Sequence, residues 1–210
     1  TQFGVGEDLE KYPRDRERDL QLCRDRKVDY IFAPDASEMY LPDASTYVSE
    51  EDVSTGLCGQ ARPTHFKGVT TICAKLFNLC RPAYVAFGQK DAQQVMVIKR
   101  MIRDLHFPIE LVIGPTIREP DGLAMSSRNS YLNDKQRTDA LLLHKALQAG
   151  RILVDQKGVR NVDRVKAELM NVLQDASSLR VNYAEVVNRE TMKAENEIEM
   201  GRSMLVVAVW

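Results

Sequence analysis

No stretch of this chain is apolar for long enough to cross a bilayer, which takes about 20 residues, so nothing in it reads as a membrane span. Neither sign of charge is in excess: 29 Lys and Arg stand against 30 Asp and Glu, a net charge of −1. The composition therefore offers no basic surface for nucleic acid. Cys23, Cys58, Cys73 and Cys80 include no Cys-x-x-Cys pair, the spacing on which a zinc or redox reading would rest. Cys73 and Cys80 fall instead in the helically spaced pattern Val69, Ile72, Cys73, Leu76, Phe77, Cys80. They read as reduced thiols in or near a core, as in a cytosolic protein. No internal repeat or low-complexity segment is present. What remains is an ordinary globular composition, with 44% hydrophobic and 28% charged residues in a chain of 210. That length suits one large domain or two small ones.

The periodicity divides the chain into two regimes. Pro13 suits the first turn of a helix that Leu20 and Cys23 continue to about residue 27. Val28-Asp29-Tyr30-Ile31-Phe32-Ala33 reads as a buried strand ended by Pro34. Residues 37–39 suggest a helical turn, 46–48 a small strand and 49–64 irregular chain. A helix over 65–79 is broken by Arg81-Pro82, and a strand over 83–87 follows. Val95, Ile98, Met101, Ile102 and Leu105 share one face of a helix over 91–105. Phe107-Pro108 ends that helix and precedes a strand over 109–113. Strands alternating with helices imply a parallel α/β sheet. Beyond Gly114-Pro115-Thr116 the rhythm changes. A long helix over 133–156 and another set by Val162, Val165, Leu169 and Val172 precede strands over 181–187 and 203–210. The expectation is an α/β unit over 1–115 and a smaller α+β domain over 116–210.

Two segments carry chemistry. Ala83-Tyr84-Val85-Ala86-Phe87 runs into Gly88, then Gln89-Lys90-Asp91, then a helix bearing Gln93 and Gln94 on its first turn. A strand, a glycine and a helix start form the crevice where open α/β sheets bind ligands. Free N–H groups and partial positive charge there favour an anion, and Lys90 adds a full charge. A solvated lysine on an ordinary strand–turn–helix fits the same residues. The second segment is Asp121-Gly122-Leu123-Ala124-Met125-Ser126-Ser127-Arg128-Asn129, just after the run 109–114. Its hydroxyls and guanidinium can wrap a polyphosphate, although such stretches also form common caps and turns. Together the two describe a phosphate site closed from two sides.

Four blocks give the chain a specific resemblance. They are Thr1-Gln2-Phe3 with Glu7-Asp8-Leu9 and Tyr12-Pro13-Arg14; Arg62-Pro63-Thr64-His65-Phe66-Lys67-Gly68-Val69; Phe87-Gly88-Gln89-Lys90-Asp91 with Gln93-Gln94; and the segment 121–129. In order and separation they resemble the pantothenate synthetase family. The resemblance implies a Rossmann-like nucleotidyl-transferase sheet followed by an α+β domain. It also implies an ATP-dependent ligase that joins pantoate to β-alanine through pantoyl adenylate, with Mg²⁺, as a cytoplasmic homodimer. Lys90, Ser126, Ser127 and Arg128 are then the expected catalytic groups. Gly88, Asp91 and Met125 would meet the nucleotide alongside them, Met125 chiefly by packing. Gln2, Gln94 and Arg62 would meet substrate, and no residue is expected as a resident metal ligand. Asp91 and His65 can each also serve as a helix cap.

The sequence departs from the family in places. Cys58 stands where many members have an acidic residue, and Gln89 where Glu is frequent. The chain opens in what is a loop after the family's second strand. Among His65, His106 and His144 no pair has the family's His-x-Gly-His spacing. The family also continues past the strand at 204–210. A fragment inactive by itself is therefore the expectation for these 210 residues. The alternatives are a non-catalytic fragment that binds nucleotide weakly, or another nucleotidylyl transferase of the same fold. The 62–69 block and the two glutamines argue against the second.

Overall fold

The computed structural model describes residues 9–210. Gln2 and Glu7-Asp8 therefore lie outside the described residues. The first helix, α1 (Arg16–Asp25), starts later than Pro13 suggests, because the Asp15 carboxylate caps it by accepting from Arg18 N at 3.0 Å. Short α2 (Ala36–Met39) and α3 (Cys58–Ala61) follow. Helix α4 (His65–Cys80) buries Phe66, Val69, Thr70, Cys73, Ala74 and Phe77, a stripe at three- and four-residue steps. Arg81 ends it in the left-handed region at φ 46°, returning its N–H to Phe77 O, and Pro82 cannot resume the helix.

Strand β1 (Tyr84–Gly88) crosses through α5 (Ala92–Asp104) to β2 (Glu110–Gly114). The strands pair in parallel from Tyr84 against Glu110 to Gly88 against Gly114. Parallel strands need such a crossover. Val69, Cys73, Ala74 and Phe77 of α4 meet Ile98, Met101 and Ile102 of α5 in one cluster, with Val85, Phe87, Phe107 and Leu111 packed against it. Phe77 and Phe107 meet edge-to-face at 5.6 Å.

The second half folds as α6 (Asp134–Asp155), α7 (Val162–Leu173) and an antiparallel pair, β3 (Val181–Asn188) with β4 (Ser203–Val209). Asn133 and Gln136 form a reciprocal capping box at the start of α6. Asn161 caps α7. The two helices pack against each other and against the sheet, α6 on β4 and α7 on β3. At Gly150 the approach is close, since a Cβ would fall 2.9 Å from Leu205 Cδ1. Val53, Phe66 and Val97 from the first half share a core cluster with Val187 and Met192 from the second.

Several sequence expectations change. Residues 28–33 form no strand: Tyr30 is 93% exposed and Phe32 55%. An apolar run becomes a strand only when a neighbour completes its ladder, and among the described residues none does. Residues 46–48 also form no strand. The Val48 N–H donates to Thr71 Oγ1 at 3.0 Å, and its carbonyl accepts from Thr70 Oγ1 at 2.6 Å. Helix side chains thus satisfy the backbone groups that a partner strand would have used. Cys80 and Leu105 sit at helix ends and are exposed, whereas Cys73 is buried.

Candidate active site

At the carboxyl end of β1, Gly88 leads into a single 3₁₀ turn, Gln89–Asp91, before α5 begins. A Cβ at Gly88 would meet nothing within 4 Å, so the missing side chain leaves the backbone open to a ligand. Lys90 projects from that turn with its ammonium 3.4 Å from Asp91 Oδ1. Asp91 occupies the N-cap position, but its carboxylate makes no cap hydrogen bond. The expected capping role is absent because the 3₁₀ turn holds the backbone at φ −99°, ψ 58°, and the carboxylate faces Lys90 instead.

Lys90 and Asp91 line a cavity of about 610 Å³, together with Arg62, His65, Gln94 and Ser126. Arg62 closes α3 by donating its N–H to Cys58 O at 2.9 Å. His65 is not the cap of α4. Thr64 holds that position, and the His65 ring lies 4.9 Å from that of Phe66. Gln94 reaches the cavity from the first turn of α5. Across the cavity stand Asn129, His144 and residues of β4.

The loop carrying the hydroxyls is built on a narrow hairpin. Arg118 bridges to Ala124, and Gly122 turns the chain at φ 98°. A Cβ at Gly122 would press on His144 Cδ2 at 2.7 Å. Asp121 accepts from Leu123 N at 3.2 Å and from Arg137 Nη1 at 2.6 Å. The Arg137 hydrogen bond, more than any other contact, holds that carboxyl below its ordinary range. Asp121 thus anchors the loop to α6. Ser126 caps the 3₁₀ turn Ser127–Tyr131, accepting from Arg128 N at 3.3 Å.

Of the loop's expected ligand groups, Ser126 alone lines the cavity. Ser127 Oγ donates to Tyr12 Oη at 3.0 Å, and the Arg128 guanidinium lies 5.2 Å from the centre of the Tyr12 ring. Met125 is 52% exposed rather than packed, and its N–H donates to Ile117 O within the hairpin. The structure thus brings Lys90, Asp91, Gln94, Arg62 and Ser126 to one cavity, and leaves Gly88, Met125, Ser127 and Arg128 off its lining. Among the described residues no three His, Cys, Asp or Glu side chains converge on a possible metal position.

Sequence reasoning did not find the wall formed by Cys58 and Tyr183. Tyr183, on β3, places its hydroxyl 3.0 Å from Cys58 Sγ. Burial, the largest cause, and the neighbouring Cys58 push the phenol well above its usual range. It stays neutral, a hydrogen-bonding hydroxyl rather than a base. No local signal marks it, because its partner lies 125 residues away.

The family model for pantoate–β-alanine ligase matches residues 1–210. A pantothenate synthetase of Thermosipho africanus is 47% identical over the whole chain, which covers 74% of that relative. One from Moorella thermoacetica is also 47% identical, with the same 74% share. A pantothenate synthetase structure from Thermus thermophilus superposes at a TM-score of 0.93 with 41% identity, over 99% of this chain and 75% of that one. A Francisella tularensis pantoate–β-alanine ligase, solved with β,γ-ATP and β-alanine, shares the fold at a TM-score of 0.75 and 24% identity, over 100% of this chain and 75% of that one. With a match over its whole length and a cavity assembled from the end of β1, the start of α5 and the facing loop, the chain belongs to the pantoate–β-alanine ligase family.

Proposed function

We infer that the protein is an ATP-dependent ligase that condenses pantoate with β-alanine to give pantothenate, AMP and pyrophosphate. The carrying observation is the convergence of Lys90, Asp91, Arg62, Gln94 and Ser126 on one cavity at the carboxyl end of a parallel strand. In the first step a pantoate carboxylate oxygen attacks the α-phosphorus of ATP. The bond to the bridging oxygen breaks, and pyrophosphate leaves with the electron pair. In the second step the β-alanine amine attacks the acyl carbon. The acyl C–O bond breaks, AMP leaves, and the nitrogen gives up its proton. Neither step bonds substrate covalently to the protein, so its task is to position reactants and stabilise phosphate charge.

Lys90 is proposed to stand on the α-phosphate. Ser126 is proposed to meet the departing phosphates, with Ser127 and Arg128 joining once their turn parts from Tyr12. Gln94 offers both a donor and an acceptor, matching a substrate that carries hydroxyl and carboxylate groups. Gln2 is proposed to bind the same substrate, and Arg62 to orient an anionic group. Gly88 gives backbone access for the nucleotide, and Met125 a further contact. Magnesium bound to the nucleotide would neutralise phosphate charge. Such an ion is commonly held by one or two carboxylates plus phosphate oxygens, and Asp91 is proposed as that carboxylate. We further propose that residues 1–115 and 116–210 act as two units around the cavity. A cytoplasmic homodimer joined through the first unit completes the reading, on family resemblance.

Pyrophosphate exchange into ATP tests the assignment, using the full-length product of the gene. Exchange that depends on pantoate, and not on other hydroxy acids, is the expected result. Absence of AMP formation with pantoate, β-alanine and ATP would refute it.

A further inference from the structure

Gln93 and Gln94 are adjacent, and both border the cavity. Gln94 is partly exposed there, whereas Gln93 is 4% exposed and is one of four buried polar or charged side chains among the described residues. All three hydrogen bonds of the Gln93 amide go to the backbone of one loop. Its Oε1 accepts from Cys58 N at 3.0 Å, and its Nε2 donates to Val53 O at 2.9 Å and to Gly56 O at 2.7 Å. The loop it grips is in a costly conformation. Leu57 sits at φ 51°, ψ −119°, a region disfavoured for a residue with a Cβ. Such backbone typically costs about 1–3 kcal/mol and persists only where its surroundings over-determine it. Gly59 is so close to the same loop that a Cβ would fall 1.6 Å from Ser54 O. From inside the loop, the Glu50 carboxylate accepts from the N–H groups of Asp52, Val53 and Ser54. Gln93 supplies matching bonds from α5.

What this loop positions is the cavity wall. Cys58 lies against Tyr183 at 3.0 Å, and Arg62 and His65 follow within two helical turns and line the same cavity. We propose that Gln93 is a positioning residue: its buried amide fixes the 53–58 loop to the start of α5, and so sets Arg62 and the Cys58–Tyr183 wall relative to Lys90 and Gln94. An amide suits the position, because the loop presents one donor and two acceptors. A carboxylate could keep the Cys58 bond, but it would oppose the carbonyls of Val53 and Gly56. The kinetic part of this inference rests on the ligase reading above; the loop-holding part does not.

The test compares Gln93→Ala and Gln93→Glu with the unmodified full-length gene product. Val165→Ala serves as a control that loses stability in a separate core cluster. Alkylation of Cys58 is followed by peptide mass spectrometry at pH 8, and adenylate formation by single turnover with pantoate varied. The expected result for both Gln93 variants is Cys58 labelling at least about tenfold faster. Adenylate formation should fall about a hundredfold, the scale of a misplacement near 1 Å, with a raised half-saturating pantoate concentration. Val165→Ala should show neither change. If one Gln93 variant fails to fold, the other carries the test. Unchanged labelling overturns the proposal, as does a kinetic loss no larger than that of Val165→Ala. Were the unmodified protein to make no adenylate, the ligase reading would fall, and Cys58 labelling would still decide whether Gln93 holds the loop.

Discussion

Replacing Lys90 with alanine should separate chemistry from folding, because the structure assigns this side chain almost nothing to hold. Its side chain is 39% exposed, and its ammonium meets Asp91 Oδ1 at 3.4 Å. Exposed ion pairs of this kind contribute about 0–1 kcal/mol, and less in salt. The pair joins adjacent residues, so breaking it undoes no long-range contact. At roughly 2–4 °C per kcal/mol for a chain of this size, Tm should fall by no more than about 2–4 °C. In the proposed reaction the same ammonium faces charge moving from the α-phosphate to the leaving oxygens. Loss of one such preorganised group typically costs about 3–4 kcal/mol in the barrier. Each 1.36 kcal/mol is a factor of ten in rate, so adenylate formation should slow by about two to three orders of magnitude. Rapid-quench single turnover with labelled ATP and pantoate measures that step in the full-length product, and a thermal melt of the same sample measures stability. Near-normal adenylate formation in Lys90→Ala would refute the assignment and make Lys90 a solvated surface residue. A fall in Tm well beyond about 4 °C would refute the claim that it contributes little to folding.

Gly59→Ala should fold poorly, because its Cβ would lie 1.6 Å from the Ser54 backbone oxygen, so the backbone itself would have to shift. A cost of at least about 3 kcal/mol lowers Tm by about 6 °C or more, and an unchanged melt would show that the loop can relax. Burial pushes the Cys73 thiol up to about 11, so iodoacetamide at pH 8 should modify exposed Cys80 well before Cys73; equal labelling in the native protein would contradict this. The Asp139 carboxyl is held low, chiefly by the Ser178 hydroxyl and then by the Ser178 N–H, with Lys135 helping. Its stabilising contribution is therefore present above the unfolded value of about 3.9 and lost as pH falls through the lower folded value. Asp139→Asn should flatten the acid limb of a Tm-against-pH curve, and an unaltered limb would rule the contribution out.

Where the fold was legible in the sequence, one segment carried its own answer. Helix α5 shows its buried face at regular steps, and Asn133 announces α6 with Gln136 three residues on. The breaks at Arg81-Pro82 and Phe107-Pro108 likewise rest on a proline that cannot donate. The misread segments depended on partners. Residues 28–33 and 46–48 are apolar enough for strands, but the first finds no ladder among the described residues and the second is satisfied by Thr70 and Thr71 of α4. Propensity describes a residue's fit to a pleated surface and cannot supply the surface.

The same distinction runs through the site. Lys90 and Ser126 were visible because each sits in a short motif whose local geometry suggests an anion. Cys58 and Tyr183 were not, since their contact joins positions 125 apart, and neither was the grip of Tyr12 on Ser127 across 115 positions. The two adjacent glutamines show the limit most clearly. On a helix, neighbours diverge by about 100°, so two adjacent amides that border one cavity can meet different partners. Gln93 is taken by the loop at 53–58, where one N–H and two carbonyls meet its amide. That loop has no repeat, charge run or periodic face to advertise itself. Its backbone polar groups must nonetheless be satisfied once buried. The demand for satisfied hydrogen bonds thus ties Gln93 to the loop beside the cavity, and in the proposed reading it couples that wall to the helix that bears Gln94.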